Sequence, residues 1–390
     1  MPAPSDITHD VIVVGAGPAG ALCAYTLRRL GLSVFVLDRA SFPRPKPCGG
    51  GLTIKTLALM PYSVAPVLER LTRGLQLGFR TAKGADIRTA LVRDPICTFA
   101  VREKFDSFNF EQMLAAGADF QTIGRIEAIT EAADSVTVGT AGQSFRARYL
   151  VGADGANSRV RRLLGLDSHI RRGFALEGVV PYAAIAKEPK PEFFFGATPN
   201  GYGWLFPKGD HVNVGLYTID DDPSLSKDAL RAYCRERLGT DTIEGVVGMP
   251  LGFGGERRSP GRDRVVLVGD AGGYAEPLLG EGLHNAIKSG MAAAVAIGQA
   301  MRGASRLQEA YRRQIAPVMD DLTRCQQMAD LFYSDLARGR ALLGLTHPGL
   351  LRGFAAGKTM VELSNLWLFS GFFRPVMPAS LAEMLRAGAR

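Results

Sequence analysis

No apolar run in the sequence approaches the roughly 20 residues that span a bilayer, and the longest candidates, Met291 to Ile297 and Leu366 to Phe373, are far shorter. A transmembrane helix is therefore not expected. Cysteine is scarce: Cys23, Cys48, Cys97, Cys234 and Cys325 are five, an odd number, widely spread and without a C-x-x-C. That usage fits a reduced, cytoplasmic compartment rather than a disulfide framework. The five histidines never fall at metal-ligand spacing, so no metal is expected. No basic run is interleaved with aromatics, which argues against a nucleic-acid partner. Residues 1–10 lack the basic stretch that opens an export signal, and the apolar run after them is broken by Gly15, Gly17, Pro18 and Gly20. It reads as a strand and a turn.

What is present is a chain of 390 residues, 46% hydrophobic and 22% charged, with 46 glycines. Such a length is ample for two interleaved domains and a substrate cavity. Lys and Arg exceed Asp and Glu by 46 to 38, a formal +8. A solvated basic surface explains that excess; an anionic membrane face or an acidic electron donor are the other readings.

Asp10 to Val14 is a short continuous apolar run, Ala19 to Leu30 has helical character, and Ser33 to Leu37 is a second apolar run ending at Asp38. This is βαβ order. Between strand and helix lies Gly15-Ala16-Gly17-Pro18-Ala19-Gly20, a G-x-G-x-x-G. The first glycine permits the tight turn, the second lets backbone approach a pyrophosphate, and the third lets helix and strand pack closely. Asp38, 23 residues after Gly15, stands where a carboxylate accepts from ribose hydroxyls. Together these predict a dinucleotide site.

Downstream, Arg102 to Leu114 has helical spacing, Arg146 to Val151 is a strand feeding Gly152-Ala153-Asp154-Gly155, and Arg264 to Val268 is a buried strand feeding Gly269-Asp270. A long small-residue helix is predicted from about Leu283 to Met301, after Gly280-Glu281-Gly282. From Gly173 to Leu216 aromatic and β-branched residues with frequent turns predict an antiparallel sheet. The last 70 residues read as helices. Phe42 to Gly51 (FPRPKPCGGG) is too rich in proline and glycine for helix or central strand.

With the three glycine-aspartate motifs in this order, the chain resembles the FAD-dependent family that includes the aromatic hydroxylases and the geranylgeranyl reductases. Two stretches narrow the resemblance to the reductases: Cys48-Gly49-Gly50 with its prolines, and Gly201-Tyr202-Gly203-Trp204-Leu205-Phe206-Pro207 followed by Asn213-Val214-Gly215. Gly51-Leu52-Thr53 differs from the Ala-Ile-Pro usual in reductases dedicated to chlorophyll side chains. The resemblance implies an α/β fold: a Rossmann-like FAD-binding domain (1–75, 101–170 and 255–320), an inserted antiparallel-sheet substrate domain (76–100 and 171–254) and a helical C-terminal segment (321–390).

It also implies the site. Cofactor-binding candidates are Gly15, Gly17, Ala19, Gly20, Asp38, Arg39, Cys48, Gly49, Arg102, Asp154, Asp270, Gly280, Gly282 and Leu283. Asp270 takes the role of bonding the ribityl chain, Asp154 shapes the cleft, and the predicted helix at Leu283 points its N-terminus at the flavin's pyrimidine edge. Arg102 is a cofactor contact or a helix-capping surface charge. Cys48 is an inert small hydrophobe or a thiol presented to the flavin as proton donor. Tyr202, Trp204 and Phe206 alternate, so a strand projects all three to one face, as plain core or as the wall of an isoprenoid channel.

The implied activity is FAD-dependent reduction of carbon–carbon double bonds in a geranylgeranyl-type chain, with NADPH or a ferredoxin-type protein as electron donor. The alternative is an FAD monooxygenase or hydroxylase, and a non-catalytic prenyl-binding flavoprotein is a third reading. Halogenases carry Trp-x-Trp-x-Ile-Pro where this chain has Tyr202-Gly203-Trp204-Leu205-Phe206-Pro207. Residues 338–390 hold seven Lys/Arg against two acids, interleaved with Leu366, Trp367, Phe369, Phe372 and Phe373, which suits peripheral contact at the inner face of a membrane or a helical cap.

Overall fold

The computed structural model describes residues 9–166, 170–186, 189–220, 225–254, 260–359 and 362–363. They fall into two compact units, each assembled from separated stretches. The first comprises Met1–Lys46, Arg102–Arg172 and Pro250–Leu322; the second comprises Pro47–Val101, Gly173–Met249 and Thr323–Arg390.

At the centre of the first unit is strand His9–Val14, paired in parallel with Val34–Asp38 on one side and Gln143–Gly152 on the other. Asp119–Thr122 extends the sheet beyond Val34–Asp38, and Val265–Leu267 extends it beyond Gln143–Gly152, both in parallel. A central parallel strand is covered on both faces, which is why Val11 to Val14 carry no polar side chain and are all buried. Leu37, Leu150, Val265 and Leu267 share a core with Ile12 and Val14. Each such side chain contributes about 1.5–3 kcal/mol on burial.

Helix Pro18–Arg29 follows the first strand directly, its N-cap Gly17 and its first residue a proline whose fixed φ suits that position. Helix Leu283–Met301 has the bounds its small-residue pattern predicts. The two helices meet so closely that a Cβ on Gly290 would overlap the carbonyl of Ala19. The predicted helix at Arg102 runs Arg102–Ala115.

The second unit carries a seven-stranded sheet in the order Glu244–Gly254, Ile170–Pro181, His211–Thr218, Gly201–Pro207, Glu192–Phe195, Gly74–Thr81, Gly84–Leu91. Pairing from Ile170–Pro181 through Glu192–Phe195 is antiparallel, and Glu192–Phe195 runs parallel to Gly74–Thr81. Because side chains alternate, register sorts them into two faces. Leu176, Leu205, Val214, Leu216 and Phe194 occupy one face and pack on Leu230, Tyr233 and Cys234 of helix Lys227–Leu238. Tyr202, Trp204 and Phe206 share the other. Helices Leu307–Ser334 and Leu336–Ala355 follow, the former with Pro317 inside it. The aromatics predicted for an interfacial segment, Leu366 to Phe373, lie outside the described residues.

Candidate functional site

In the first unit the glycine turn is fixed by backbone. Gly15 has φ 103°, and a Cβ there would overlap the carbonyl of Ala153, while one on Gly20 would overlap the carbonyl of Gly15. The second motif therefore lies directly against the first, tied by Ala153 N–H donating to the Val14 carbonyl at 2.7 Å. Asp38 braces the same turn: Ala16 N–H donates to its Oδ2 at 2.6 Å and Ala40 N–H to its Oδ1 at 2.9 Å. A carboxylate offers about four acceptor positions, so acceptor capacity for ribose hydroxyls remains. Arg39 beside it is exposed.

Gly17 differs from its neighbours. A Cβ there would meet, among the described residues, only Nη2 of Arg44, at 3.4 Å. No side chain caps the helix that starts here, so its first N–H groups are aimed at a space that an added methyl would fill. A dinucleotide pyrophosphate fits this cradle. Ala19, in the same motif, packs against Gly269 and Gly290, so its small size serves helix packing.

Asp154 is committed to its own loop. It accepts from Ser158 Oγ at 2.5 Å and from the N–H groups of Arg159 and Val160 at 2.6 and 3.1 Å, capping helix Arg159–Leu163. Burial raises its carboxyl pKa against the pull of these donors. The helix in turn presents Arg161, whose buried guanidinium donates from Nη1 to the Ala271 carbonyl at 3.0 Å and from Nη2 to the Ala156 carbonyl at 2.7 Å. Arg161 thus ties the second motif to the third.

The third motif turns at Gly269, φ 56°, whose N–H donates to Ser289 Oγ at 2.9 Å. Burial pushes the Asp270 carboxyl up from its ordinary range, opposed by the positive charges of Lys46, Arg102 and Arg161. Its Oδ1 lies 3.4 Å from where a Cβ of Gly282 would stand, at the uncapped N-terminus that leads into Leu283. The Gly280 turn, φ 69°, is held by buried Glu276, which accepts from the N–H groups of Leu278 and Leu279 at 2.5 and 2.9 Å. Gly252 to Gly254 end a strand and bond the same loop: Ala275 N–H donates to the Gly252 carbonyl, and Gly254 N–H to the Gly273 carbonyl.

Arg102 is not a surface charge. Its Nε and Nη2 grip the fully buried carboxylate of Asp106 at 2.7 and 2.8 Å. Arg44, Arg161, Asp106, Glu276 and the Gly252–Gly254 strand end carry no local signature, and only the i,i+4 spacing of Arg102 and Asp106 was open to inspection.

In the second unit the Cys48 loop and the aromatic strand come together. Ring centroids of Tyr202 and Trp204, and of Trp204 and Phe206, are each 6.1 Å apart. Phe193 joins Tyr202 and Phe206 on this face at 5.1 and 5.3 Å. The indole Nε1–H donates to Asn213 Oδ1 at 2.7 Å, and the ring lies over Gly215, where a Cβ would overlap it. A Cβ on Gly49 would press on the Phe206 ring at 2.7 Å. Buried Glu177, in register with Gly215 and so on the same face, accepts from Cys48 N–H at 2.7 Å. Gly50 N–H donates to Cys48 Sγ at 3.4 Å.

Residues 8–326 match the family model described as FAD binding domain. The chain is 31% identical over 328 residues to a chloroplastic geranylgeranyl diphosphate reductase of Oryza sativa, covering 78% of this chain and 70% of the relative. It is 30% identical over 314 residues to a digeranylgeranylglycerophospholipid reductase of Methanothrix thermoacetophila, covering 75% and 78%. A solved geranylgeranyl bacteriochlorophyll reductase-like protein of Thermoplasma acidophilum shares the fold, with a TM-score of 0.76 at 19% identity over 98% of this chain and 99% of that one. The three motifs, the cradle at Gly17 and this match together place the chain in the FAD binding domain family, as an FAD-dependent oxidoreductase.

Proposed function

We propose that the protein reduces carbon–carbon double bonds in an isoprenoid chain. The observation that carries this reading is the sheet face on which Tyr202, Trp204, Phe206 and Phe193 form a continuous aromatic wall, with the Cys48–Gly50 loop seated on it. An isoprenoid has no group to hydrogen-bond, so a wall of ring faces is the chemistry that recognises it. The relatives named as reductases of geranylgeranyl compounds agree with it.

FAD, when bound, supplies the two electrons of the reduction as a hydride. The protein's part is to bind, orient and keep the alkene dry, because an isolated double bond offers no carbonyl to accept charge. Gly15, Gly17, Gly20, Asp38, Arg102 and Asp270 hold the cofactor; Cys48 delivers or relays the one proton that completes the reduction, or shapes the pocket; Tyr202, Trp204 and Phe206 line the isoprenoid chain. Electrons return from NADPH or a ferredoxin-type protein. Among the described residues no helix is long and apolar enough to cross a membrane, and a prenyl-lipid substrate calls for peripheral contact with a bilayer.

Anaerobic incubation of dithionite-reduced protein with a geranylgeranyl lipid tests the reading. Oxidation of the flavin together with a product heavier by two hydrogens per bond supports it. An oxygenated product formed only in air indicates the monooxygenase alternative, and a bound, unchanged lipid indicates a carrier.

A further inference from the structure

Asp106 belongs to none of the three glycine-aspartate motifs, yet its carboxylate is fully buried and two guanidinium groups converge on it. Arg102 grips it in a bidentate fork through both Oδ1 and Oδ2. Arg44 reaches the same Oδ2 with Nη2, at 3.3 Å. That nitrogen is also the atom a Cβ on Gly17 would meet. One nitrogen therefore stands between a buried carboxylate and the cradle where helix N–H groups await a pyrophosphate. The Arg44 guanidinium also stacks over the Phe42 ring, 4.9 Å from its centroid, and Phe42 stacks on Phe110 of the Arg102–Ala115 helix at 4.5 Å.

We propose that Asp106 is a positioning residue for the cofactor, holding Arg44 over the Gly17 turn so that its guanidinium receives the pyrophosphate of FAD. The fork from Arg102 fixes the plane of the carboxylate, and the carboxylate fixes Arg44. Without its negative charge, the two guanidinium groups repel each other. Arg44, the more exposed of the two, then turns toward solvent. The proposal rests on FAD binding by this unit, not on the substrate reading.

The test is a double-mutant cycle on FAD affinity, read by quenching of flavin fluorescence as apoprotein is titrated at low and high salt. Arg44→Ala and Asp106→Asn are each expected to raise the Kd about tenfold, the scale of one charge-assisted hydrogen bond. The combined variant should be no more than about twofold worse than Asp106→Asn, because both changes remove one interaction. Both single variants should also flatten the salt dependence of the Kd, which a purely structural role for Asp106 does not do. Additive losses, or an unchanged Kd in Asp106→Asn, overturn the proposal. If Asp106→Asn does not accumulate as folded protein, Arg44→Ala decides alone: an unchanged Kd and an unchanged salt dependence in that variant overturn the proposal. Wild-type protein that binds no FAD would instead sink the cofactor assignment itself.

Discussion

Both units rely on glycine to bring parts together, but what the glycine makes room for differs between the packing around the cofactor turn and the face of the aromatic wall. In the first unit Gly15, Gly20 and Gly290 clear backbone carbonyls; in the second Gly49 and Gly215 clear the rings of Phe206 and Trp204. A carbonyl inside a strand-turn-helix cannot retreat, whereas a ring can turn about two side-chain angles. The cofactor grip is thus built to one geometry, and the aromatic wall is built to be adjusted.

The hardest test of that contrast is at Gly20 and Gly17. Gly20→Ala places a methyl on the Gly15 carbonyl and should abolish both the flavin spectrum and cooperative melting. Gly17→Val, which among the described residues faces only the end of the Arg44 side chain and no backbone, should leave a folded apoprotein that no longer takes up FAD. Flavin absorbance and thermal melts of both variants check this. A yellow Gly20→Ala protein would remove the rigid half of the comparison.

Next in size is the Cys48 loop on the wall. Cys48→Ala should retain FAD yet slow single-turnover oxidation by a prenyl substrate at least about tenfold, the low end for a general acid. Unchanged turnover would leave Cys48 as packing. Loss of FAD would make it a cofactor-loop residue.

Smaller is the effect expected at Gly215. Gly215→Ala should destabilise by about 1–3 kcal/mol through overpacking without changing the flavin spectrum, and Trp204→Leu should recover part of the loss by withdrawing the ring. Denaturant melts of the single and double variants measure it. A Gly215→Ala protein that loses FAD would contradict an adjustable wall.

How much of this was legible depended on whether a residue's partner is a neighbour in sequence. Strand His9–Val14, the Gly15 to Gly20 turn and helix Leu283–Met301 are written in local periodicity, and the Tyr202–Phe206 alternation stated which face the rings share. Glu177 bonds a residue 129 positions away, and Arg161 bonds carbonyls about 110 positions away. No period encodes such pairs. Asp154 stood in a recognised motif, but its work as a helix cap required the donors Ser158, Arg159 and Val160 to be seen.

The smallest expected effect concerns Asp270. Burial raises its carboxyl in the folded chain, so the folded state holds the proton more tightly than the unfolded state does. The cost of ionising it is absent below the ordinary value of 3.8 and complete once the pH exceeds the raised one. Asp270→Asn apoprotein should therefore melt about 2 °C above wild type at neutral pH, with the gap closing as the pH falls from the raised value to 3.8. A gap that persists in acid would assign the effect to something other than ionisation.

The parallel sheet also sets a timetable for the growing chain. Strand His9–Val14 pairs with Gln143–Gly152, which pairs with Val265–Leu267. Roughly 250 residues must leave the ribosome after Val14 before the row of strands is complete, tens of seconds at usual elongation rates. Until Gln143–Gly152 emerges, Val11 to Val14 have a strand partner on one side only, and the carbonyl of Ala153, against which Gly15 is seated, arrives with that strand. The pyrophosphate turn is among the first segments synthesised and among the last able to bind. Cofactor supply therefore acts on nearly finished chains, and nascent ones need protection for that apolar strand.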